Sequence, residues 1–447
     1  MSTTTQQLHA GVAVADITPP IGYRMCGYFN ERLSTGVLNP LHAKALVLRQ
    51  GDTRAAMVFC DIIGIPADVS KRARQQAAQQ TGIPADNILL AGTHSHTGPL
   101  YFDALRDYFH EKAVAKQGKD PYEQRDYPSE LVAGIVKAIK DADAKVRPVR
   151  TQAGVAQQQG LSFNRRFHMK DGTVRFNPGL LNPDIVRPAG PIDPGVGMIF
   201  FRDVNGDRVF ASLVNFALHL DTTGGTLYAA DYPYFIEQNL REKFGKDFTL
   251  LFGTGTCGDI NHFDVTTKNI RRPETIGATL AGTVAAAQPK AIAQPNLSVK
   301  RTVVEVPMQK FTADEIAQAK KDMDKIGTAD MSFLDQVRTY KIADIQSRGG
   351  STIPLEVQMF RLGDEVAVVG LPGEVFVEHG LAIKNASPFP VTLVIELCQD
   401  DVAYVPTKKA FAEGSYETVN SRIAPGGGEM MVEAAVRLLR ELQPPPA

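Results

Sequence analysis

Short apolar runs bounded by turn residues recur along the chain and predict strands. Near the N-terminus, a polar turn at Gly51-Asp52 separates two such runs, HAKALVLRQG and TRAAMVFCDIIGI. The next segment, SKRARQQAAQQTG, predicts a helix that ends at Gly82, and NILLAG predicts another strand. This alternation of strand, helix and strand is typical of an α/β fold.

The same patterns continue to the C-terminus. Further strands are predicted at VGMIFFRD, RVFASLVNFALHL, FTLLFG, LSVKRTVVEVPM, PLEVQMFRL, EVAVVG and VTLVIELC. Further helices are predicted at YPYFIEQNLREKFG, PETIGATLAGTVAAAQ, TADEIAQAKKDMDKI and GGGEMMVEAAVRLLREL. In the third of these helices, Thr312 is the expected N-cap and Glu315 completes a capping box.

Residues 150–190 break this regularity. They are rich in Gly, Asn, Pro and Arg and show little periodicity, which predicts a long irregular segment of the functional or disordered kind. The chain has no internal repeat and no Pro/Ser-rich linker. We therefore expect one large α/β domain with mixed β-sheets flanked by helices.

Composition narrows the classes of partner. The 447 residues are 43% hydrophobic and 22% charged, and the net charge of −1 gives no bulk attraction to nucleic acid or anionic membranes. No apolar run reaches the ~18 residues of a membrane span, and the N-terminus lacks the basic and apolar regions of a signal peptide. A soluble protein is expected, and a periplasmic or secreted location stays open because a trimmed chain would look the same. The four scattered cysteines argue against a disulfide framework or a cysteine zinc knuckle.

Chemically capable side chains cluster where predicted strands end. His94 and His96, in THSHTGP, follow NILLAG, and their i, i+2 spacing predicts that they share a face. Such a pair is either half of a metal site or two hydrogen-bonded loop histidines. Comparable positions after other strands are held by His219, Asp259, Asn261, His262, Glu374 and Tyr404. Ligands of α/β proteins gather outside the carboxyl ends of strands, although His219 could be a core histidine and Glu374 a helix cap or surface carboxylate.

Several motifs together make the chain similar to a known family. They occur in family order from Val12 to Glu417 and read VAVADITPPIG, GTHSHTGP, FNRR, NFALH, GTCGDIN, GLPGE and YVPTKKAFAEGSYE. In these motifs the chain resembles the neutral/alkaline non-lysosomal ceramidases. The resemblance implies a zinc catalytic domain over residues 10–443, with the active site at strand ends and without the family's C-terminal immunoglobulin-like domain.

The resemblance also implies a role for individual residues. It assigns Zn²⁺ ligation to His94, His219, Glu374 and Tyr404, a set that suits zinc better than magnesium or calcium. It assigns proton transfer to His96, a substrate-oxygen contact to Arg165 and oxyanion stabilisation to Tyr416. Asp61 is expected either to orient a metal ligand or to cap the next helix.

Two features depart from the family pattern. Asn261 stands in the turn Gly258-Asp259-Ile260-Asn261-His262 where the family has a catalytic serine, and an amide is no nucleophile. We expect Asn261 to hydrogen-bond to substrate instead. The segment 165–187 also carries Arg165, Arg166, His168, Lys170, Arg175 and Arg187. This basic stretch is either a solvated loop or a site for an anionic ligand.

Three functions therefore remain open. The first is a zinc hydrolase that cleaves an amide or ester with zinc-activated water near His96, and with ceramide itself disfavoured as substrate. The alternative is a zinc-dependent carbohydrate-active enzyme, a uronate lyase or glycan hydrolase, acting on an anionic oligosaccharide. The third is a non-catalytic zinc protein. The sequence leaves the oligomeric state and the compartment undetermined.

Overall fold

A computed structural model describes residues 6–206 and 208–443. Residues 1–5, at the N-terminus where no signal peptide is predicted, lie outside the described residues. The strands are β1 (His9–Asp16), β2 (Gly36–Val37), β3 (His42–Gln50), β4 (Thr53–Cys60), β5 (Ile88–Gly92), β6 (Arg147–Gln157), β7 (Phe163–Asn164), β8 (Arg166–Met169), β9 (Val174–Phe176), β10 (Ile185–Pro188), β11 (Gly195–Asp203), β12 (Val209–Phe216), β13 (Leu227–Tyr228), β14 (Thr249–Thr254), β15 (Ile260–Asn261), β16 (Lys290–Ala291), β17 (Leu297–Pro307), β18 (Thr352–Leu362), β19 (Val366–Gly370), β20 (Glu374–Val375), β21 (Val391–Ile395) and β22 (Tyr404–Val405).

The helices are α1 (Ala67–Thr81), α2 (Asp103–Gln117), α3 (Tyr127–Asp143), α4 (Tyr232–Phe244), α5 (Pro273–Ala286), α6 (Ala313–Asp322), α7 (Phe333–Arg348), α8 (Val377–Ala386), α9 (Lys408–Glu413), α10 (Tyr416–Val419) and α11 (Gly427–Glu441). Local sequence signals set several of their ends. Gly82 ends α1 in the left-handed region at φ 71°, and its N–H donates to Ala78 O. The capping box of Thr312 and Glu315 begins α6, as predicted.

Two mixed sheets form the framework. The larger has the strand order β14-β12-β11-β6-β1-β3-β4-β5, with β16 added on β6. Within it β12/β14 and β4/β5 are parallel pairs, whereas its other neighbours are antiparallel. The second sheet has the order β17-β18-β19-β21, in which only β19/β21 is parallel. The expected α/β class with mixed sheets flanked by helices is confirmed.

The two sheets pack face to face with helices outside them. Leu46 and Phe59 from the larger sheet share one apolar core with Phe360 and Val368 from the second. Helices α1 and α3 cover the other face of β1, β3, β4 and β5, and α4 and α5 cover β11, β12 and β14. Residues of α8 and α11 cover the outer face of the second sheet. The result is a helix–sheet–sheet–helix arrangement in which alternate side chains of the central strands are buried on both faces.

The segment 150–190 differs from the prediction. It is not irregular, because it completes β6 and then forms β7 to β10, of which β8 pairs with β9 and β10 and β7 pairs with β15. These later strands have only two to four residues each, which is too short to give a visible alternation among the Gly, Asn and Pro turns. Helix α7 likewise had no predicted counterpart.

The carboxyl ends of strands from both sheets meet at one edge of the interface between the sheets. Backbone bridges join Ala91 to Cys398 and Gly255 to Ile395, so β5 and β14 of the larger sheet adjoin β21 of the second. Loops that leave these strands therefore enter a common region. None of the helices in the described residues is long and apolar enough to cross a bilayer.

Candidate active site

His94 and His96 lie in the turn after β5 and not in an extended strand. The backbone of His94 is left-handed at φ 79°, an unfavourable conformation for a residue with a Cβ atom. Its N–H donates to Ile62 O at 2.9 Å, which holds the turn in place. The two rings are nearly perpendicular, and their Nε2 atoms are 3.3 Å apart. The predicted convergence of the pair is present, but turn geometry produces it instead of strand alternation.

A third imidazole completes the group. His219 follows β12 by three residues, and its Nε2 lies 3.0 Å from Nε2 of His94. All three rings are buried. Each ring directs Nδ1 at a backbone carbonyl oxygen: His94 at Ile63, His96 at Gly27 and His219 at Cys257, at 2.9, 3.0 and 3.4 Å. A neutral imidazole has one N–H, so donation from Nδ1 leaves three Nε2 lone pairs facing one another.

Glu374 and Tyr404 reach the same point from the second sheet. They are register partners in the short parallel pair β20/β22. Glu374 Oε2 is buried without a hydrogen bond, 3.3 Å from Nε2 of His94 and 3.8 Å from Nε2 of His219. The Tyr404 hydroxyl lies within hydrogen-bonding reach of the Glu374 carboxylate.

This donor set fits a metal cation. Converging lone pairs and an unpaired buried carboxylate oxygen repel one another unless a positive charge lies between them. Tetrahedral zinc with bonds of 2.0–2.1 Å separates its ligand atoms by about 3.3 Å. Among the proposed ligands, Nε2 of His94 lies 3.0 Å from Nε2 of His219 and 3.3 Å from Oε2 of Glu374, and Nε2 of His219 lies 3.8 Å from that oxygen. Nitrogen and oxygen donors in this number match zinc.

The pKa values of the three histidines agree with a site in which a bound metal cation would replace one proton. Burial lowers the pKa of His94, but the Glu374 charge outweighs it and raises that pKa to about 9. Burial lowers the pKa of His96 to about 4 and also depresses the pKa of His219, helped by the charge on His94. In the metal-free chain one proton on His94, held against Glu374, therefore supplies the positive charge.

Arg165 projects into the site from the residue after β7. Its Nε donates to Glu417 Oε1 at 3.0 Å and its Nη2 to Gly258 O at 2.6 Å. The guanidinium lies between the rings of Phe176 and Tyr404, 5.1 and 5.3 Å from their centroids. These contacts fix a buried positive charge beside the histidine group, and Arg165 lines the cavity there.

Tyr416 is the first residue of α10 and adjoins Tyr404. Its ring packs on Phe176 and Tyr404 with centroid distances of 4.7 and 5.4 Å, and its hydroxyl accepts a hydrogen bond from Asn420 Nδ2 at 3.3 Å. Burial raises the pKa of Tyr416 to about 12, so its hydroxyl is a hydrogen-bond donor at neutral pH. The structure thus brings Tyr416, Arg165 and the proposed ligands together.

Asn261 does not take the position expected for a substrate contact. Its Nδ2 donates to Asn177 Oδ1 at 2.7 Å, and its Oδ1 accepts the N–H of Phe263 at 3.0 Å. Asn177, and not Asn261, lines the cavity. The amide at 261 is used within the chain, where it supports the cavity wall.

Both interpretations of Asp61 are wrong. Its carboxylate accepts the backbone N–H of His42 at 3.0 Å. Helix α1 begins after Pro66 and has no side-chain cap. Asp61 therefore links β3 to the end of β4 and acts on neither the imidazoles nor the helix.

The basic stretch does not form an anion pocket. Arg166 pairs with Glu417 at 2.9 Å, His168 lies 3.6 Å from Glu413, Lys170 lies 3.9 Å from Asp184, Arg175 pairs with Asp171, and Arg187 donates to Pro188 O. Lys170, Arg175 and Arg187 are exposed. Of the six basic residues, Arg165 alone lines a cavity at the histidines. The solvated-loop interpretation is correct for the exposed members.

Two cavities meet at His96, Tyr404 and Tyr416. The first has a volume of about 750 Å³ including its opening to solvent, and it is lined by Leu100, Phe102, Asp103, Leu105, Asp401 and Arg422 among others. The second has a volume of about 990 Å³ including its opening, and it is lined by Arg165, Phe176, Asn177, Asp221 and Phe333 among others. Tyr28 and Phe29 line both. A substrate with two arms could therefore place its scissile group between the cavities, beside the histidines.

Two acidic residues of the site were not predicted from the sequence. Asp221 accepts a hydrogen bond from the Tyr28 hydroxyl at 2.5 Å, and its Oδ1 lies 3.8 Å from Nδ1 of His96. Glu396 is completely buried at the end of β21, next to Cys257. An acidic residue directly after the apolar run VTLVI was the available signal for Glu396.

Comparisons with known proteins agree with the motifs. Residues 8–219 match the family model described as neutral/alkaline non-lysosomal ceramidase, N-terminal. The neutral ceramidase of Pseudomonas aeruginosa is 26% identical over 274 residues, which cover 56% of this chain and 36% of that protein. Neutral ceramidase A of Dictyostelium discoideum is 26% identical over 279 residues, covering 59% and 36%.

The structural match is more extensive than the sequence match. The crystal structure of the neutral ceramidase from Pseudomonas aeruginosa aligns with a TM-score of 0.72 and 20% identity, over 99% of this chain and 76% of that chain. The structure titled ceramidase complexed with C2 aligns with a TM-score of 0.69 over the same shares. The matched region spans little more than a third of the curated relatives. The family model over residues 8–219 and the two relatives support the neutral/alkaline non-lysosomal ceramidase family for this chain, and the structural match shows that it shares the fold of a neutral ceramidase.

Proposed function

We propose that the chain is a zinc-dependent hydrolase that cleaves the amide or ester bond of an acylated substrate. The observation that carries the proposal is the convergence of three imidazole Nε2 atoms and an unpaired oxygen of Glu374 where two cavities meet. The zinc ligands in the proposal are His94, His219, Glu374 and Tyr404. The relatives are named ceramidases, and this favours an N-acyl compound as the substrate.

The metal and the acyl group have complementary chemistry. A bound zinc ion would act as a Lewis acid toward the acyl carbonyl and would lower the pKa of water at the site. The ligand side chains are held by the backbone of both sheets and need little rearrangement. His94 and His219 are fixed by their Nδ1 contacts, and Glu374 and Tyr404 by the β20/β22 pair.

His96 is the proton carrier in this proposal. Its depressed pKa keeps the ring neutral at pH 7, and its Nδ1 contact with Gly27 O leaves Nε2 free to accept a proton. Asp221, 3.8 Å from Nδ1, favours the charged ring that would result. His96 can therefore take a proton from the attacking water and return it to the leaving amine or alcohol.

Arg165 and Tyr416 are placed to stabilise developing negative charge. Arg165 is a buried cation held by Glu417 and Gly258, and Tyr416 keeps its hydroxyl proton because burial raises its pKa to about 12. Fixed donors of this kind stabilise an oxyanion without reorganising during the reaction. We assign the substrate carbonyl oxygen to this side of the cleft.

Water is the attacking group that remains. No serine or threonine is found among the described residues that line the two cavities. The one cysteine there, Cys26, has a pKa raised by burial to about 12, and its thiol contacts Ser95 O. Asn261 supplies no nucleophile and contacts Asn177. Since the basic stretch is paired or exposed, the observation that favoured an anionic saccharide no longer supports that alternative.

Metal analysis combined with an activity screen tests the proposal. The wild-type protein should contain one zinc per chain, lose hydrolysis of a short-chain N-acyl amide on chelation and regain it when zinc is restored. His219→Ala should bind little zinc, whereas Arg175→Ala, a change in an exposed ion pair, should leave metal and activity unchanged. A folded, metal-free wild type with full activity would refute the proposed chemistry.

A further inference from the structure

We infer that Glu396 is a positioning residue for the proposed metal site: its carboxylate ties the loop that carries Glu374 to the loop that orients His219. This inference rests on the proposed function, because it concerns how the ligand side chains are held. It goes beyond that function in naming a residue that touches neither the substrate nor the cluster of Nε2 atoms.

The contacts of Glu396 are short and directed at backbone. Oε2 accepts the N–H of Val375 at 2.7 Å and the N–H of Cys257 at 3.1 Å. Oε1 accepts the thiol of Cys257 at 2.9 Å. The side chain is completely buried, and within residues 6–206 and 208–443 it forms no ion pair with lysine or arginine.

Each of the two N–H groups belongs to a peptide next to a proposed ligand. Val375 directly follows Glu374 in β20, so its position sets the direction of the Glu374 side chain. The carbonyl oxygen of Cys257 accepts from Nδ1 of His219 at 3.4 Å, so the position of Cys257 sets the tilt of that ring. The carboxyl group of Glu396 therefore joins two peptides. One lies next to Glu374, a proposed ligand from the second sheet, and the other orients His219, a proposed ligand from the larger sheet.

The surrounding backbone closes this connection tightly. Gly258 N–H donates to Val375 O at 3.0 Å, and a Cβ atom at Gly258 would lie 2.4 Å from Glu374 O. The N–H of Glu396 itself donates to Thr254 O, the last residue of β14. The loops after β14 and β19 thus meet on the end of β21, and Glu396 is the side chain that joins them.

A purely structural role would not need a carboxylate here. Burial raises the pKa of Glu396 to about 8, which shows how unfavourable the buried charge is, and an apolar residue of similar volume would fill the space at lower cost. The three donors compensate for that burial only while both loops keep their present positions. Residues that orient metal ligands in this way typically change metal affinity 10- to 100-fold when removed.

The test compares zinc affinity with stability. Zinc dissociation constants are measured by chelator competition, and Tm is measured on the same proteins without metal. Glu396→Ala should weaken zinc binding about 10- to 100-fold. Glu396→Gln retains an oxygen that can accept both N–H groups and should stay within about threefold of wild type. Leu438→Ala, in the outer core of the second sheet, should lower Tm and leave zinc affinity unchanged.

Glu396→Asp is a smaller change that keeps the inference testable if Glu396→Ala does not fold. Glu396→Asp keeps the carboxyl group but is one methylene too short to reach both loops, so it should also weaken zinc binding while Glu396→Gln does not. Wild-type zinc affinity in Glu396→Asp or Glu396→Ala would overturn the inference and leave the proposed function intact. Loss of affinity in proportion to Tm, in Leu438→Ala as in Glu396→Ala, would overturn it as well. Absence of zinc binding by the wild type would overturn both proposals.

Discussion

At the scale of single residues, hydrogen bonds to the backbone decide what the imidazoles can do. Gly27 O and Ile63 O accept from Nδ1 of His96 and His94, so the two rings present their Nε2 atoms to the cleft. Their pKa values nevertheless move in opposite directions, because Glu374 adjoins His94 while burial dominates at His96. Neighbouring histidines with the same tautomer can thus have different roles.

His96→Ala should retain zinc but lose turnover by about 100- to 10,000-fold. The ring is neutral at pH 7 with a free Nε2, which is what a general base requires, and typical bases contribute this factor. Zinc content and kcat/KM are measured together, with His94→Ala as the reference for loss of a ligand. If both variants lose zinc equally, His96 is a ligand and our assignment is wrong.

Zinc affinity should rise with pH up to about pH 9. The folded-state pKa of His94 is raised above its ordinary value of 6.5, so its pairing with Glu374 stabilises the metal-free protein fully below pH 6.5 and ceases to do so as pH rises through 9. Zinc must displace that proton, which predicts about a tenfold gain in affinity per pH unit between pH 6.5 and 9. Chelator competition across this range measures it, and a flat profile would contradict the predicted proton exchange.

At the scale of elements, helix ends and long strands could be predicted from the sequence, whereas contacts between segments distant in sequence could not. The sequence predicted α1 with its end at Gly82, the capping box of α6 and the long strands, because each rests on residues close in sequence. It also predicted which residues follow strand ends. It did not predict that Asn261 faces Asn177 or that Arg166 faces Glu417, since those partners depend on how β7 and β15 pair.

The two-residue strand pair β20/β22 positions Glu374 and Tyr404, so separating its strands should weaken zinc binding. Gly373 precedes it at φ 75°, and a Cβ atom there would lie 2.7 Å from Ala403 O. Gly373→Ala should separate the strands, lower Tm by several degrees and reduce zinc content. Gly118→Ala is the matched control, because Gly118 has φ 74° with open space around it and should cost only about 1 kcal/mol of backbone strain without loss of zinc. Equal zinc content in the two variants would show that the pair is dispensable.

At the scale of the whole molecule, the proposed ligands come from both sheets. His94 and His219 follow β5 and β12 of the larger sheet, whereas Glu374 and Tyr404 follow β19 and β21 of the second. A cation bound to all four would hold the sheets together at their common edge. Binding free energy at such a position contributes to the stability of the entire fold.

Removing zinc should therefore lower the global Tm. At free zinc about 1,000 times Kd, binding stabilises the folded chain by about 4 kcal/mol, which for a protein of this size corresponds to roughly 5 °C. Differential scanning calorimetry with and without a chelator measures the shift. His219→Ala should show the lower Tm under both conditions, and a zinc-dependent shift in that variant would indicate binding elsewhere.

The origin of the ligands in two sheets also sets the order in which the protein can mature. His94 leaves the ribosome about 310 residues ahead of Tyr404, an interval of about 15 to 60 s at ordinary rates of synthesis. From the synthesis of His219 to that of Glu374, about 155 residues later, the two imidazoles have neither the carboxylate nor the phenol beside them. A nascent chain therefore offers a metal ion an incomplete ligand set, which binds it weakly. The metal site can be fully occupied only after the last third of the polypeptide has packed against the first third.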